Sequence, residues 1–292
     1  MPQFATAVES AGGVVTPIGP EVGALVWTNY QQPERLAAIL DANPQLSWVQ
    51  LPWAGVDAFS NLVQRPLRFT SAKGAYREPV AEHALMLCMA LGRNLKMRAK
   101  ATTWGDKWAV SLYDANVVVV GGGGIAEELL LQLAPFRAVV TVVRKHPVPM
   151  AGAASVVALD QLSEVLANAQ FVVLACALTP ETRNLFDAQL LAKLPATSYL
   201  INVARGAVVN LAALIAALDA GQLAGAAIDV TDPEPLPAGH PAWDCENLLI
   251  TPHTADTPVQ VNYLLAKRIA ANTLAYLGSS DWVGEVDPKL GY

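Results

Sequence analysis

The sequence is short of charge and has no long hydrophobic run. Asp, Glu, Lys and Arg make up only 15% of its 292 residues and hydrophobic residues 53%, whereas an average globular protein carries roughly 25% charged residues. That balance excludes a disordered chain, which combines high charge with little to bury. The longest apolar stretches, near 117 and 171, stop well short of the roughly 18 residues that span a bilayer, so no membrane association is expected. The N-terminus, MPQFATAVESAGG, has no basic start, and Glu9 stands where the apolar core of a signal peptide would lie. Secretion is unsupported. Cysteine is scarce too: Cys88, Cys176 and Cys245 are far apart in apolar sequence, which provides neither a disulfide framework nor a metal-ligand spacing. No metal is expected, and a reducing, cytoplasmic location fits best. Acidic residues outnumber basic ones by 25 to 19, a net charge of -6, and the basic residues are scattered, so the field needed to hold a nucleic acid is missing. The densest basic stretch, Arg93, Lys96, Arg98 and Lys100, closes a helical apolar run, where positive charge complements the helix dipole.

A chain of this length is comfortable as two lobes. From Ala24 to about Phe69, short apolar runs (ALVWT, SWVQL, LRFT) alternate with a helical stretch at 33–42, the rhythm of a small α/β lobe. Residues 78–97 read as a long apolar helix with Pro79 in its first turn, a position that tolerates the missing N–H. The aperiodic segment ATTWGDKWAVSLYDA follows and reads as a linker or arm. Beyond it, six β-rich runs (117–120, 139–143, 171–175, 198–203, 226–230, 248–250) alternate with helical segments at 125–136, 160–168, 187–193 and 210–220. Strands joined by crossover helices specify a doubly wound, Rossmann-type parallel sheet. The expected organisation is therefore a smaller flavodoxin-like α/β substrate domain over 1–97, with 258–292 packing back on it, and a dinucleotide-binding domain over 98–257.

The chemistry lies at strand ends. VVVVGGGGIAEELLLQL places Gly121, Gly123 and Ala126 at the G-x-G-x-x-G/A positions between a strand and a helix. There the first Gly permits the tight turn, the second admits a pyrophosphate to the backbone, and the small third residue allows close helix packing. Glu127 and Glu128 suit the helix dipole but must point away from a bound anion. The next strand ends in Arg144 and Lys145, where a carboxylate would otherwise bind the ribose 2′-hydroxyl. A guanidinium there grips a 2′-phosphate, which favours NADP(H); NAD(H) stays open, because Arg also stacks on adenine. Three further segments follow strands: INVARG at 201–206, AAIDVTDPEPLP at 226–237 and TPHTA at 251–255. Arg205, Glu234 and His253 can converge from them on the cleft at the carboxyl ends of the strands. Reduction of a 2-oxo acid needs these three types: a cation for carboxylate and carbonyl, a proton donor near neutrality, and a carboxylate to orient that donor. His83, inside the apolar helix, reads as a core histidine with its polar atoms satisfied, and Glu82 beside it as a buried structural carboxylate.

These motifs, with CALTPETRNLF at 176–186, resemble the D-isomer-specific 2-hydroxyacid dehydrogenase family over nearly the whole chain. Spacing agrees: positions 205 and 234 are 29 apart, and 234 and 253 are 19 apart. The resemblance implies substrate binding by Arg205, acid/base chemistry by His253 with Glu234 as its partner, and Asp229 beside the nicotinamide amide. It implies a cofactor site including Gly124, Ile125, Thr182 and Val203, and a loop at Trp53, Ala54 and Gly55 whose N–H groups receive the substrate carboxylate. A homodimer formed through the nucleotide lobe and an arm near 100–113 is implied as well. Two positions depart from the family pattern: Ala177 replaces a Pro, and Asp256 replaces a Gly close enough to His253 to raise its pKa or narrow the cleft. The basic pair and the ending WVGEVDPKLGY look most like NADPH-dependent glyoxylate and hydroxypyruvate reductases, so the small-molecule partner is expected to be a short 2-oxo or D-2-hydroxy acid. The alternatives are an NAD-dependent dehydrogenase of a larger D-2-hydroxy acid or of phosphoglycerate, and a dinucleotide-sensing interaction protein on the same fold.

Overall fold

The computed structural model describes residues 2–29 and 32–289; the last three residues of the expected return segment, 290–292, lie outside them. In chain order the elements are α1 (Pro2–Ser10), β1 (Ala24–Val26), α2 (Pro33–Ala42), β2 (Trp48–Gln50), β3 (Arg68–Thr70), α3 (Arg77–Gly92), α4 (Leu95–Arg98), β4 (Asn116–Val120), α5 (Gly124–Leu133), β5 (Val139–Val143), β6 (Ser155–Val157), α6 (Leu162–Leu166), β7 (Phe171–Leu174), α7 (Ala188–Leu191), β8 (Tyr199–Asn202), α8 (Leu211–Asp219), β9 (Gly225–Ile228), β10 (Leu248–Ile250) and α9 (Pro258–Tyr276). They form two compact units, Met1–Tyr76 with Asp256–Tyr292, and Arg77–Ala255.

The larger unit is a parallel sheet in the order β10-β9-β8-β7-β4-β5-β6. Strand order reverses between β4 and β7, so the loops leaving their carboxyl ends diverge and open a crevice, the place where doubly wound sheets take ligands. Apolar runs suit a sheet covered on both faces. Because successive side chains point to opposite faces, Val118 and Val120 join one core with Phe186, Leu200 and Leu214, while Val117 and Val119 join another with Leu129, Phe171 and Ile201. Strand β6, absent from the sequence reading, adds a seventh, edge strand.

Helix α3 belongs to this larger unit. Its Ala81, Ala84, Leu87, Cys88 and Leu91 are buried in the same core as Val117, Val119 and Leu129, and it packs on α5, β8 and β9. The division between units therefore falls at Tyr76, ahead of the helix, whereas the sequence reading ended the first lobe after it. Burial pushes the Cys88 thiol up to about 12, making it an inert packing group. Glu82, read as a buried carboxylate, is exposed.

The smaller unit holds a parallel sheet ordered β1-β2-β3, which packs Val49 and Phe69 with Leu36 and Leu40 of α2 and with Phe59 and Val286. Its strand order runs in one direction without the reversal seen in the larger sheet. Helix α9 joins it through a buried polar seam. The Thr70 hydroxyl donates to Gln50 Oε1 at 2.8 Å, Asn272 Nδ2 donates to the same oxygen at 2.7 Å, and Trp48 Nε1 donates to Thr70 at 2.9 Å. Arg268 spends its guanidinium on the carbonyls of Ser71 and Lys73, at 2.6 and 2.8 Å. Gln50, Thr70 and Asn272 are fully buried, and such a network stabilises only when its members are satisfied.

Candidate active site

The glycine turn sits at the reversal of strand order. Gly121 follows β4 with φ +112, and a side chain on it would strike the Ala175 carbonyl at the end of β7, 2.5 Å away; only glycine fits. Gly123 is the N-cap of α5 in extended conformation, with no side chain capping the helix and open space where a Cβ would be. The first N–H groups of α5, which begins at Gly124 and Ile125, are thus left for an anion. Ala126 is fully buried and Glu127 is exposed, so the fingerprint's third position packs while the nearest carboxylate turns outward. This cradle fits a dinucleotide pyrophosphate. Arg144 lies against it: its Cδ and Nε are 2.7 and 2.8 Å from where a Gly122 side chain would start. Lys145 is instead paired with Glu181, Nζ to Oε1 at 3.3 Å. The Thr182 hydroxyl donates to the Ala177 carbonyl and accepts from Thr179 N, both at 2.7 Å, shaping the loop after β7. Val203 is buried at the end of β8.

Arg205, Glu234 and His253 come together at the ends of β8, β9 and β10. Asn202 braces the arginine, donating to its carbonyl at 3.0 Å and accepting from Ala204 N at 3.0 Å, while Arg205 Nη1 donates to the Ala204 carbonyl at 2.8 Å. Gly206 permits the approach of the next loop, because a Cβ there would lie 2.0 Å from the Thr231 carbonyl carbon. Glu234, in that loop, accepts from Thr231 N at 3.3 Å and meets His253 Nδ1 at 2.5 Å. With 38% and 41% of their side chains exposed, the histidine and glutamate remain accessible to a substrate.

The electrostatics follow from this geometry. The hydrogen bond to Glu234 raises the His253 pKa above 6.5; burial opposes it, the charges of Glu234 and Asp229 add to it, and Arg205 lowers it. Burial alone would raise the Glu234 pKa, but the His253 hydrogen bond and charge, Thr231 N and Arg205 together bring it below the ordinary value. Arg205 therefore lies close enough to be felt by both partners.

Asp229, at the end of β9, is 2% exposed. Oδ1 accepts from the Thr251 hydroxyl at 2.5 Å and from Thr254 N at 2.9 Å, and Oδ2 accepts from Ala255 N at 3.1 Å. The Asp229 carbonyl accepts His253 N at 2.7 Å. Its carboxylate thus organises the TPHTA turn, a task additional to the one the resemblance implies. In the smaller unit, Trp53, Ala54 and Gly55 follow β2 half-buried. The Trp53 carbonyl accepts Ala72 N at 2.8 Å, the Trp53 ring meets Tyr76 edge-on at 6.2 Å, and the Tyr76 hydroxyl donates to the Pro52 carbonyl at 2.8 Å.

His83 is, as the sequence reading had it, a histidine with its polar atoms satisfied, but the sequence did not name its partners. Its Nε2 lies 3.0 Å from Thr251 Oγ1 and 3.3 Å from Asp229 Oδ1. Only the unexplained polar residue in an apolar helix hinted at a partner. Among the described residues no cluster of His, Cys, Asp or Glu could hold a metal, and no helix is long and apolar enough to cross a membrane.

A doubly wound sheet with a dinucleotide cradle and an Arg–Glu–His constellation at its strand ends defines an oxidoreductase that uses a nicotinamide dinucleotide. Residues 84–255 match the D-isomer specific 2-hydroxyacid dehydrogenase, NAD binding domain, and the chain belongs to that family. An uncharacterized protein in the proB 3′ region of Corynebacterium melassecola is 35% identical over 264 residues, covering 86% of this chain and 86% of its own. The glyoxylate reductase/hydroxypyruvate reductase of Homo sapiens is 30% identical over 253 residues, 82% of this chain and 76% of its own. A D-isomer specific 2-hydroxyacid dehydrogenase from Xanthobacter autotrophicus Py2, crystallised with NADPH and MES, has a TM-score of 0.85 and 31% identity, covering 100% of this chain and 96% of its own.

Proposed function

We propose that the protein reduces a short 2-oxo acid, glyoxylate to glycolate or hydroxypyruvate to D-glycerate, with NADPH preferred over NADH. The observation that carries this reading is the accessible His253–Glu234 pair at 2.5 Å, with the Arg205 charge acting on both members. The bound dinucleotide would supply the hydride to the carbonyl carbon. Nδ1 of His253 is held by Glu234, so Nε2 delivers the proton to the carbonyl oxygen, and Glu234 keeps the ring charged and oriented until then. Arg205 offers its guanidinium to the substrate carboxylate and to the oxygen as it gains charge. The loop at Trp53, Ala54 and Gly55 is assigned the substrate carboxylate, which makes the smaller unit the substrate domain and the larger one the nucleotide domain. Human and mouse relatives described as glyoxylate reductase/hydroxypyruvate reductase support the short substrate. A homodimer belongs to the same reading, supported by Trp104 and Trp108, 88% and 51% exposed on the arm before β4. So does a reducing cytoplasm, which suits the free thiols of Cys88, Cys176 and Cys245.

Preference for NADPH is assigned to Arg144 beside the glycine turn, and the NADPH-bound Xanthobacter relative supports it. Lys145 already faces Glu181, so the guanidinium carries most of the selection. Initial rates of NADPH and NADH oxidation with a panel of 2-oxo acids test the whole reading: turnover is expected with NADPH and the two- and three-carbon acids. Turnover confined to NADH and large acids would overturn it. Arg144→Asp is expected to invert the ratio of kcat/KM for the two cofactors by about tenfold or more, since a carboxylate repels a 2′-phosphate and binds a 2′-hydroxyl. An unchanged ratio would remove Arg144 from cofactor selection.

The pH dependence follows from His253. Reduction requires its protonated form, so the rate should fall as pH rises through a value above 6.5. The stabilisation linked to this raised pKa runs the same way: fully present below the unfolded value, and lost as pH rises through the folded one. The part linked to the lowered pKa of Glu234 is present above its unfolded value and disappears as pH falls through the folded one. Glu234→Gln removes the largest cause of the His253 shift and should move the alkaline limb of the rate profile to lower pH. A limb that stays in place would show that Glu234 does not tune the histidine.

A further inference from the structure

His253 is held in an uncommon backbone conformation, φ +52, which non-glycine residues rarely adopt. From it the ring reaches Glu234. Three consecutive N–H groups stabilise this turn, and each finds an acceptor on Asp229: His253 N on its carbonyl, shared with the Thr251 carbonyl at 3.0 Å, Thr254 N on Oδ1 and Ala255 N on Oδ2. The bonds from Thr254 N and Ala255 N, with the one from the Thr251 hydroxyl, need both carboxylate oxygens of Asp229 as acceptors, hence a deprotonated side chain fixed in place. A carboxylate at 2% exposure needs hydrogen-bond donors to replace water, and the side chains that provide them are Thr251 and His83. The Thr251 hydroxyl has one proton and gives it to Asp229 Oδ1 at 2.5 Å. Its oxygen must then accept from His83 Nε2 at 3.0 Å, so Nε2 carries a hydrogen whatever the charge of the ring. The same Nε2 lies 3.3 Å from Asp229 Oδ1. His83 is anchored on α3, whose buried face is set in the nucleotide-unit core, and so brings a rigid reference to a loop at the sheet's edge.

We propose that His83 is a positioning residue: with Thr251 it clamps the Asp229 carboxylate, and the clamped carboxylate holds the turn from which His253 presents its proton. The proposal rests on the reading of His253 as the proton donor. Nε2 of His83 meets Thr251 and Asp229, so it acts on His253 through intermediaries. The groups facing Asp229 are His83 from α3 and Thr251, Thr254 and Ala255 from the loop after β10. Those whose charge acts on His253 are Glu234, Asp229 and Arg205.

The consequence concerns acid pH. Burial works to raise the Asp229 pKa, and the hydrogen bonds from His83, Thr251 and Thr254 outweigh it and bring it below its usual value. A lowered carboxylate keeps its contribution above the unfolded pKa and loses it as pH falls through the folded one. Without the clamp, Asp229 protonates at higher pH, its oxygens no longer receive all the donors, and the His253 turn loosens there first.

The test compares pH–rate profiles of the wild type, His83→Leu and Thr251→Val. The expected result is an acid limb in kcat displaced upward by about one pH unit or more in both variants, with NADPH affinity held within about twofold. Thr251→Ser, which keeps the hydroxyl, and His83→Gln, which keeps a donor, should restore the wild-type profile. Profiles that superimpose on the wild type, or that fall by one factor at every pH, would overturn the proposal, the second because a merely structural brace has no reason to depend on the charge of Asp229. A second readout is independent of turnover. The chain has four histidines, so the ring signal of His253 can be followed by NMR. In His83→Leu and Thr251→Val its acid inflection should move to higher pH than in the wild type, and identical titration curves would refute the clamp. If the wild type reduces no 2-oxo acid, the functional reading fails while this titration still decides on His83.

Discussion

Replacing His253 with alanine should lower turnover by about 10²–10⁴-fold, the usual contribution of a positioned general acid, while dinucleotide affinity changes by no more than about twofold. The separation follows from where the groups lie. The glycine turn at β4, where Gly121 is locked against Ala175 and Gly123 caps α5, shares no side chain with the His253–Glu234 pair after β9 and β10. Losing the imidazole removes the proton donor and leaves the nucleotide cradle as built. Steady-state rates and an NADPH fluorescence titration on the same sample check both halves. Unchanged turnover would take His253 out of the mechanism; a large loss of NADPH affinity would mean that the two sites are not separable.

Arg205→Gln should cost about 10²–10³-fold in kcat/KM, the scale of removing one donor aimed at developing negative charge, with losses in both kcat and KM. The arginine is asked to bind the substrate carboxylate in the ground state and to meet the carbonyl oxygen as it becomes an alkoxide, so both constants depend on it. Arg205→Lys should recover only part of the loss, because an ammonium cannot reproduce the planar fork. The arginine also lowers the His253 pKa, so removing its charge should move the alkaline limb of the rate profile upward, opposite to Glu234→Gln. Kinetics across pH on Arg205→Gln check the size of the loss and its sign together. A variant that changes KM alone would confine Arg205 to ground-state binding.

Much of this was legible in the sequence where local pattern and chemistry coincide. The runs VVVV and FVVL are apolar at every position, and YLIN at all but its closing Asn202, because β4, β7 and β8 are covered on both faces, and that composition has few other uses. The glycine turn was readable because a strand, three small residues and a helix occur in fixed order. Arg205, Glu234 and His253 were readable because each follows a strand, and parallel strands deliver their carboxyl ends to one edge. What was not legible depends on long-range packing. Helix α3 is periodic enough to be recognised, but its buried Ala84, Leu87 and Leu91 do not announce which core they enter. Strand β6 is three residues at the sheet's edge, and α1 buries little besides Phe4 and Ala7, so neither left a strong periodic signal. Partner choice was hidden as well. Nothing near Lys145 predicts Glu181 as its mate, and His83 and Thr251 are 168 positions apart, joined only when α3 packs beside the sheet.

The central claim is that a protonated His253 completes a hydride reduction on one face of a 2-oxo acid. The most direct measurement is the configuration of the product formed from hydroxypyruvate and NADPH by the purified protein, resolved by chiral chromatography with a His253→Ala control. The account predicts D-glycerate alone in the wild-type sample and almost none in the control over the same time. L-glycerate, a racemic product, or equal yields from the two samples would contradict it.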